Sequence, residues 1–214
     1  MDKLITLAGA VAVLLLALSM SRFYLKSNQK RFQQSVDNEV LLRVIRRLNT
    51  VIPKPLPYYL LPSELEARMK QNLYDKCTLE QVVYDMGHHC GVDTSTIEVQ
   101  LRRDDRAGYA GQIKIAYDHT VILIQKDACT TVDTMTAVLA HELMHFFLNQ
   151  YDIHMENMYE NEILTDTATI YFGFSEYMYR GYRFNQDFRN PGTMHKAGYL
   201  SQADIAYITR QIYE

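Results

Sequence analysis

The pattern of apolar and polar positions changes character along the chain, and each change predicts a different kind of element. Residues 4–21 carry no charged side chain and are mostly apolar. In the stretch that follows, apolar side chains recur at helical spacing, which predicts an amphipathic helix. These side chains are Phe32, Val36, Val40, Leu41, Val44, Ile45 and Leu48. Three prolines within residues 52–57 predict that this helix ends there.

Residues 4–21 are long enough to cross a membrane. As a helix they would extend about 27 Å, which just matches a bilayer core. A cleaved signal peptide is the alternative, but the start Met-Asp-Lys is nearly neutral where such a peptide is basic, so we favour an anchor. More basic side chains follow the span than precede it, which places the C-terminal part in the cytoplasm. The basic residues after it are Arg22, Lys26, Lys30 and Arg31.

The middle of the chain switches from helical to alternating patterns. Residues 63–74 and 78–91 predict two helices, the second ended by Gly87 or Gly91. Residues 94–103 then alternate apolar and polar side chains, and residues 111–118 and 120–127 follow as two further strand-like stretches. Turn-like residues separate them. This region predicts a small antiparallel sheet of about three strands.

The C-terminal half is helical again. Residues 130–151 contain no glycine or proline, and residues 156–179 predict a second long helix interrupted or ended near Gly173. Ser201 is a predicted N-cap for the last helix. The predicted fold class is therefore α+β. We divide the chain into an anchor at 1–21, a juxtamembrane helix with a proline-rich linker at 22–57, and a folded domain at 58–214. The juxtamembrane helix would lie on the membrane surface or, more commonly, pack on the domain.

Composition narrows the function classes. The formal net charge is −3, which gives no reason to expect a nucleic-acid partner. The three cysteines, Cys77, Cys90 and Cys129, include no CxxC pair, so neither a disulfide framework nor a thiolate zinc site is expected. We expect Cys129, shortly before the helix at 130–151, to be a small buried residue rather than a catalytic thiol.

Candidate chemistry lies in the predicted helix at 130–151, where residues 141–145 read HELMH. His141 and His145 are one helical turn apart, so both imidazoles can bind one metal ion, and Glu142 can act as general base toward a water. The other face carries Met135, Leu139, Leu143 and Phe146 and is predicted to be buried. The alternative is an ordinary amphipathic helix with two surface histidines.

A zinc site needs a third protein ligand, and the next helix offers two carboxylates. Glu162 and Asp166 are four residues apart and so lie on one helical face. Either could complete a His-His-carboxylate site that leaves the fourth position to water. The other could accept a hydrogen bond from the free ring N–H of a ligand histidine.

Residues 141–166 resemble the gluzincin metallopeptidases, in which HExxH is followed on the next helix by a pattern like Asn-Glu-x-x-x-Asp, here Asn161, Glu162 and Asp166. The resemblance implies a zincin-like fold, in which the small sheet precedes an active-site helix and a glutamate helix. It implies that His141, His145 and Glu162 bind zinc and that Asp166 orients His141. The run LTDTATIYFG is also similar to the aspzincins, where the aspartate is the ligand, so Asp166 remains a metal candidate.

The resemblance also implies peptide hydrolysis, with Glu142 as the base and a tyrosine or histidine that stabilises the oxyanion. The candidates for that donor are Tyr179, Tyr182, His195 and Tyr199, and we favour His195 because it lies in a glycine- and proline-flanked loop. His88, His89, His119 and His154 are expected to be structural or surface residues. The stretch HTVILIQKD or a neighbouring strand could bind an extended peptide by strand addition.

The predicted function is therefore a membrane-anchored zinc endopeptidase acting on a peptide or protein, with residues 58–214 as the metallopeptidase domain. Two alternatives remain. One is a regulatory metalloprotease, resembling the ImmA/IrrE group, that cleaves a single partner protein. The other is a membrane-tethered metal-binding module without catalysis, which the presence of Glu142 disfavours.

Overall fold

A computed structural model of the protein describes residues 35–52, 54–103, 109–182 and 198–214. The predicted anchor at 1–21 and residues 22–34 of the predicted juxtamembrane segment lie outside these residues. Within the described ranges, no helix is both long and apolar enough to cross a membrane.

Seven helices and three strands follow one another along these ranges. Three helices come first, then the strands, then four helices, which confirms the α+β class. The elements are α1 (Asn38–Asn49), α2 (Ser63–Gln71), α3 (Lys76–Cys90), β1 (Ile97–Arg102), β2 (Gly111–Ile115), β3 (Thr120–Gln125), α4 (Val132–Gln150), α5 (Met158–Tyr171), α6 (Ser175–Gly181) and α7 (Gln202–Tyr213).

The sheet is mixed, so the expectation of an antiparallel sheet was wrong for one of its two pairings. The strand order is β1-β3-β2, with β2 antiparallel and β1 parallel to β3. A tight turn, in which Ala116 donates its N–H to the carbonyl of His119, makes β2 and β3 a hairpin. The longer connection after Arg102 lets β1 pair with the far side of β3. The alternation of apolar residues determines which face of a strand is buried, but it does not determine with which strand it pairs.

Strand β3 is the centre of the sheet, and every one of its residues is buried. Its sequence TVILIQ is nearly continuously apolar, as expected of a strand covered on both faces. The two edges of the sheet belong to β1 and β2. An extended peptide could therefore add to β2 or β1 but not to β3, whose two sides are already paired.

Helix α1 packs on the domain, as the commoner of its two alternatives predicted. Its apolar residues Leu41, Val44, Ile45 and Leu48 are buried in the same core as α4 and α5. Asn49 accepts a hydrogen bond from the hydroxyl of Tyr171, and Arg43 pairs with Glu160, so α1 runs alongside α5.

The break predicted near Gly173 separates α5 from α6. Gly173 has a φ of 89°, a conformation that glycine adopts readily. A Cβ at this position would lie 2.2 Å from the carbonyl oxygen of Pro57. The N–H of Tyr59 donates to the carbonyl of Gly173 at 3.0 Å. The chain after the proline-rich segment is therefore held against the end of α5.

The three cysteines form no disulfide, and two of them are buried. Cys129 is 1% exposed, and burial raises the pKa of its thiol to about 12. A thiol with this pKa stays protonated at neutral pH and is a poor nucleophile. Cys129 thus fits the predicted structural role.

We expect Leu41→Ala to lower the free energy of unfolding of the full-length protein by about 2–5 kcal/mol, because it leaves a cavity at a fully buried position. Arg47→Ala on the exposed side of α1 is the control and should change it by less than about 0.5 kcal/mol. Urea unfolding in detergent followed by circular dichroism measures both. Equal values for the two variants would show that α1 does not belong to the cooperative core.

Candidate metal centre

Three side chains from two neighbouring helices converge on one point. Helix α4 carries His141 and His145, and α5 carries Glu162. The two Nε2 atoms are 3.1 Å apart. Glu162 Oε2 lies 3.4 Å from Nε2 of His141 and 3.5 Å from Nε2 of His145. This group of three could hold a metal ion.

These three separations match the edges of a tetrahedron around a small cation. For zinc with bonds of about 2.0–2.1 Å, two ligand atoms lie about 3.3 Å apart. A cation between the atoms would also relieve the repulsion between imidazole lone pairs and a carboxylate at this distance. Two nitrogens and one oxygen form a ligand set that zinc accepts, and a fourth position would remain for water or substrate.

Asp166 lies on the opposite side of the His141 ring from this group. Its Oδ1 accepts a hydrogen bond from Nδ1 of His141 at 2.8 Å, and the hydroxyl of Tyr182 donates to the same oxygen at 2.7 Å. Its Oδ2 accepts from the backbone N–H groups of Tyr199 and Leu200, at 2.6 and 3.1 Å. Of the two candidate carboxylates, Glu162 thus belongs to the group that could hold a metal ion, and Asp166 is bonded to the other ring nitrogen of His141, where it can orient the ring.

Thr165 plays the corresponding part for His145. Its hydroxyl donates to the carbonyl of Asn161 at 2.9 Å, which uses its one hydrogen. The oxygen of Thr165, 3.2 Å from Nδ1 of His145, then accepts the ring hydrogen. With a metal ion bound, both histidines would carry their proton on Nδ1, and both Nε2 lone pairs would face the ion.

Charges within the group shift two pKa values in opposite directions. Burial acts to lower the pKa of His141, but its hydrogen bonds to Asp166 and Glu162 outweigh burial and raise that pKa to about 10. Burial acts to raise the pKa of Glu162, but the bonds to the two imidazoles outweigh it and lower the pKa below its usual value. Both shifts show that positive charge is favoured between these groups.

Glu142 is buried between α4 and the edge strand β2. It is 5% exposed, and burial raises the pKa of its carboxyl, while a hydrogen bond from the backbone N–H of Ile113 acts in the other direction. The approach is close because residue 111 is glycine. A Cβ there would lie 2.6 Å from Cγ1 of Val138 and 2.8 Å from Oε1 of Glu142. Gly111 therefore allows β2 to hold Glu142 beside the metal ligands.

A cavity of about 610 Å³ opens over the three ligands. Gly111, Ile113 and Ile115 of β2 line one part of it, and Gly198 and Tyr199 also line it. Residues that follow α4 close one end, and His154, expected to be a structural or surface residue, is among them. The candidate ligands therefore line an open cleft rather than a closed core.

Of the four candidates for oxyanion stabilisation, Tyr199 is the described residue that lines this cavity. Burial and the charges of Glu162, Asp166 and Glu142 raise the pKa of its hydroxyl, which keeps it protonated. The hydroxyl of Tyr182 is bound to Asp166 behind His141, and Tyr179 is an exposed residue whose carbonyl accepts from Gln202. His195, the favoured candidate, lies outside the described residues.

Sequence reasoning missed the supporting residues Gly111 and Thr165, and it named Tyr182 as a candidate oxyanion donor rather than as a partner of Asp166. Thr165 lies one helical turn after Asn161. This spacing could have suggested that Thr165 faces α4, where it contacts His145. Gly111 and Tyr182 act through contacts distant in sequence, which a single sequence does not reveal. His89 has the expected structural role, since its Nε2 bonds the carbonyl of Phe172 at 2.9 Å.

Comparison with known proteins finds no matching protein family, no matching curated protein and no matching solved structure. The candidate metal centre is therefore argued from the geometry of this chain alone.

We expect Thr165→Val to weaken zinc binding about tenfold or more, because it removes the acceptor that orients His145. Thr167→Val is a matched control on the same helix, since that hydroxyl is equally buried and bonds only to the carbonyl of Ile163. Competition with a chromogenic chelator measures both affinities. An equal loss in the two variants would contradict the proposed role of Thr165.

Proposed function

We propose that this protein is a membrane-anchored, zinc-dependent endopeptidase. The observation that carries the proposal is the tetrahedral spacing of His141, His145 and Glu162 in an open cleft, with a buried carboxylate, Glu142, beside them. Three protein ligands with an open fourth position are typical of catalytic zinc sites, whereas structural sites use four. The anchor at residues 1–21 and a cytoplasmic catalytic domain are part of the proposal and rest on the sequence alone.

Zinc is the metal that suits this ligand set, and the gluzincin resemblance agrees. When bound, zinc would supply Lewis-acid polarisation of a carbonyl group and lower the pKa of water. His141, His145 and Glu162 would hold it. The chain's own residues would perform the remaining tasks, which are proton transfer, charge stabilisation and alignment of the substrate.

Glu142 is placed to take and return a proton. Its carboxylate lies next to the ligands and is fixed from the other side by Ile113 of β2. A carboxylate in this position can accept a proton from water and donate it again. We infer that Glu142 accepts the proton of the attacking water and passes it to the leaving nitrogen.

The shape of the cleft favours an extended peptide as substrate. Strand β2 is an edge strand, and within the described ranges it pairs only with β3. Its residues line the cavity over the ligands. An extended peptide could add to this edge by backbone hydrogen bonds, which recognise a peptide without demanding one sequence. The scissile carbonyl would then lie in the cleft that β2 and Tyr199 line.

We expect Glu142→Gln to retain zinc and to lose hydrolysis by about a hundredfold to ten-thousandfold, because the amide cannot take the proton. Zinc content by mass spectrometry and cleavage of a mixed library of quenched fluorescent peptides measure the two properties in full-length protein. A protein without zinc would contradict the metal centre. Zinc retained with unchanged cleavage would contradict the role of Glu142.

Tyr199→Phe should lower kcat about a hundredfold and change KM little, because it removes a donor needed only when charge develops on the carbonyl oxygen. Tyr159→Phe is the matched control, since that ring lies against Tyr199 with 6.2 Å between centroids. The same peptides, measured over a range of concentrations, separate kcat from KM. A larger effect in the control would assign the role to another residue.

A further inference from the structure

The described part of the chain begins close to the metal cleft. The backbone N–H of Val36 donates to both carboxylate oxygens of Asp204, at 3.2 and 3.3 Å. Asp204 Oδ2 also accepts from the N–H of Ser201 at 2.9 Å. The nitrogens of Val36 and Ser201 are thus at most about 6 Å apart, because both lie within hydrogen-bonding distance of one oxygen.

Ser201 follows directly on the wall of the cleft. Gly198 and Tyr199 line the cavity, and the N–H groups of Tyr199 and Leu200 bind Asp166, which in turn binds His141. This path of short contacts places the nitrogen of Val36 at most about 20 Å from Nε2 of His141. The preceding segment, residues 22–34, is therefore attached at the side of the cleft.

The rim next to this attachment point is apolar and aromatic. Met158 is 82% exposed and Tyr159 is 54% exposed, and the ring of Tyr159 contacts that of Tyr199. The charge of Asp204 contributes to raising the pKa of Tyr159, after burial, which shows that Tyr159 is near the contact with Val36. Large apolar side chains that reach the cleft from residue 35 would pass over this rim.

Segment 22–34 has the composition to occupy such a cleft. It reads RFYLKSNQKRFQQ, with four basic side chains, three aromatic ones and no acidic one. The described residues that line the cavity include no lysine or arginine, and of its three acids Glu142 and Glu162 belong to the proposed zinc centre whereas Asp152 does not. Asp152 is nearly fully exposed at one end of the cleft, so its charge is available to a basic segment.

The segment is also long enough. Residues 30–35, fully extended, would span about 20 Å, which covers the largest distance that these contacts allow between Val36 and His141. Residues 22–29 would then be available as the substrate segment. No second molecule is needed to bring them to the cleft, so the effective concentration of this substrate is high.

We propose that the centre cleaves its own chain in cis, at a peptide bond between residues 22 and 30. The proposal rests on the proposed function and names its first substrate. In the reaction the amide C–N bond breaks, the oxygen of water bonds to the carbonyl carbon, and Glu142 carries a proton from that water to the leaving nitrogen. Cleavage would separate the catalytic domain from the predicted anchor at 1–21.

The test uses the full-length protein, prepared with a chelator and reconstituted in phosphatidylcholine vesicles, to which zinc is then added. Intact mass measurement should show a fragment whose first residue lies between 23 and 30, formed at a rate that does not change when the protein-to-lipid ratio is lowered a hundredfold. Glu142→Gln should remain uncut. Replacing Arg22 and Lys26 by glutamate should slow cleavage roughly tenfold, whereas Arg46→Glu on the exposed side of α1 should not.

The outcomes separate this proposal from the one on which it rests. Wild-type protein that binds zinc and cleaves the peptide library, yet leaves its own N-terminal segment intact, overturns self-cleavage and keeps the peptidase. A rate that rises with the protein-to-lipid ratio overturns cleavage in cis. Protein that binds zinc and cleaves neither the library nor itself overturns both proposals.

Discussion

The carboxylate of Asp166 is the point on which the rest of the site depends. It is fully buried, where a bare charge would be costly, and it is stabilised by four donors. Two of these donors are the side chains of His141 and Tyr182. The other two are the backbone N–H groups of Tyr199 and Leu200. One side chain thus orients the ring of His141 and holds Tyr199, which lines the cleft.

The consequences reach the N-terminal part of the chain. Because Tyr199 and Leu200 lead into α7, the position of Tyr199 depends on how α7 begins. Asp204 caps that helix through Ser201 and also holds Val36, which leads into α1. Asp204 therefore links α1 to α7. Asp166 in the same way links α4 and α5 to the residues Tyr199 and Leu200. Helix α1 is for this reason part of the structure that supports the cleft rather than a detachable linker.

The local sequence pattern was enough to predict the helices and the group of side chains that could hold a metal ion. It was not enough where the structure depends on contacts between residues distant in sequence. The turn spacing of His141 and His145 fixes their common face, and the same holds for Glu162 and Asp166. Which carboxylate faces the metal depends on the rotation of α5 against α4, and this is set by packing. The parallel pairing of β1 with β3 likewise depends on the path of the chain. Gly111 supports Glu142 and Tyr182 supports Asp166, and neither contact has a signature in the local sequence.

The short connection between α4 and α5 explains how so few residues build the centre. Asp152 adopts a left-handed conformation with φ of 52°, and the N–H of Ile153 returns to the carbonyl of Leu148, so the chain reverses at once. The side chain of Asn161 then binds both the N–H and the carbonyl of Met155, at 2.5 and 3.2 Å. The reversal makes the two helices antiparallel, and Glu162 follows next in sequence. Asn161 thus places the third ligand opposite the two histidines, which gives a physical reason for the Asn-Glu pair in this sequence.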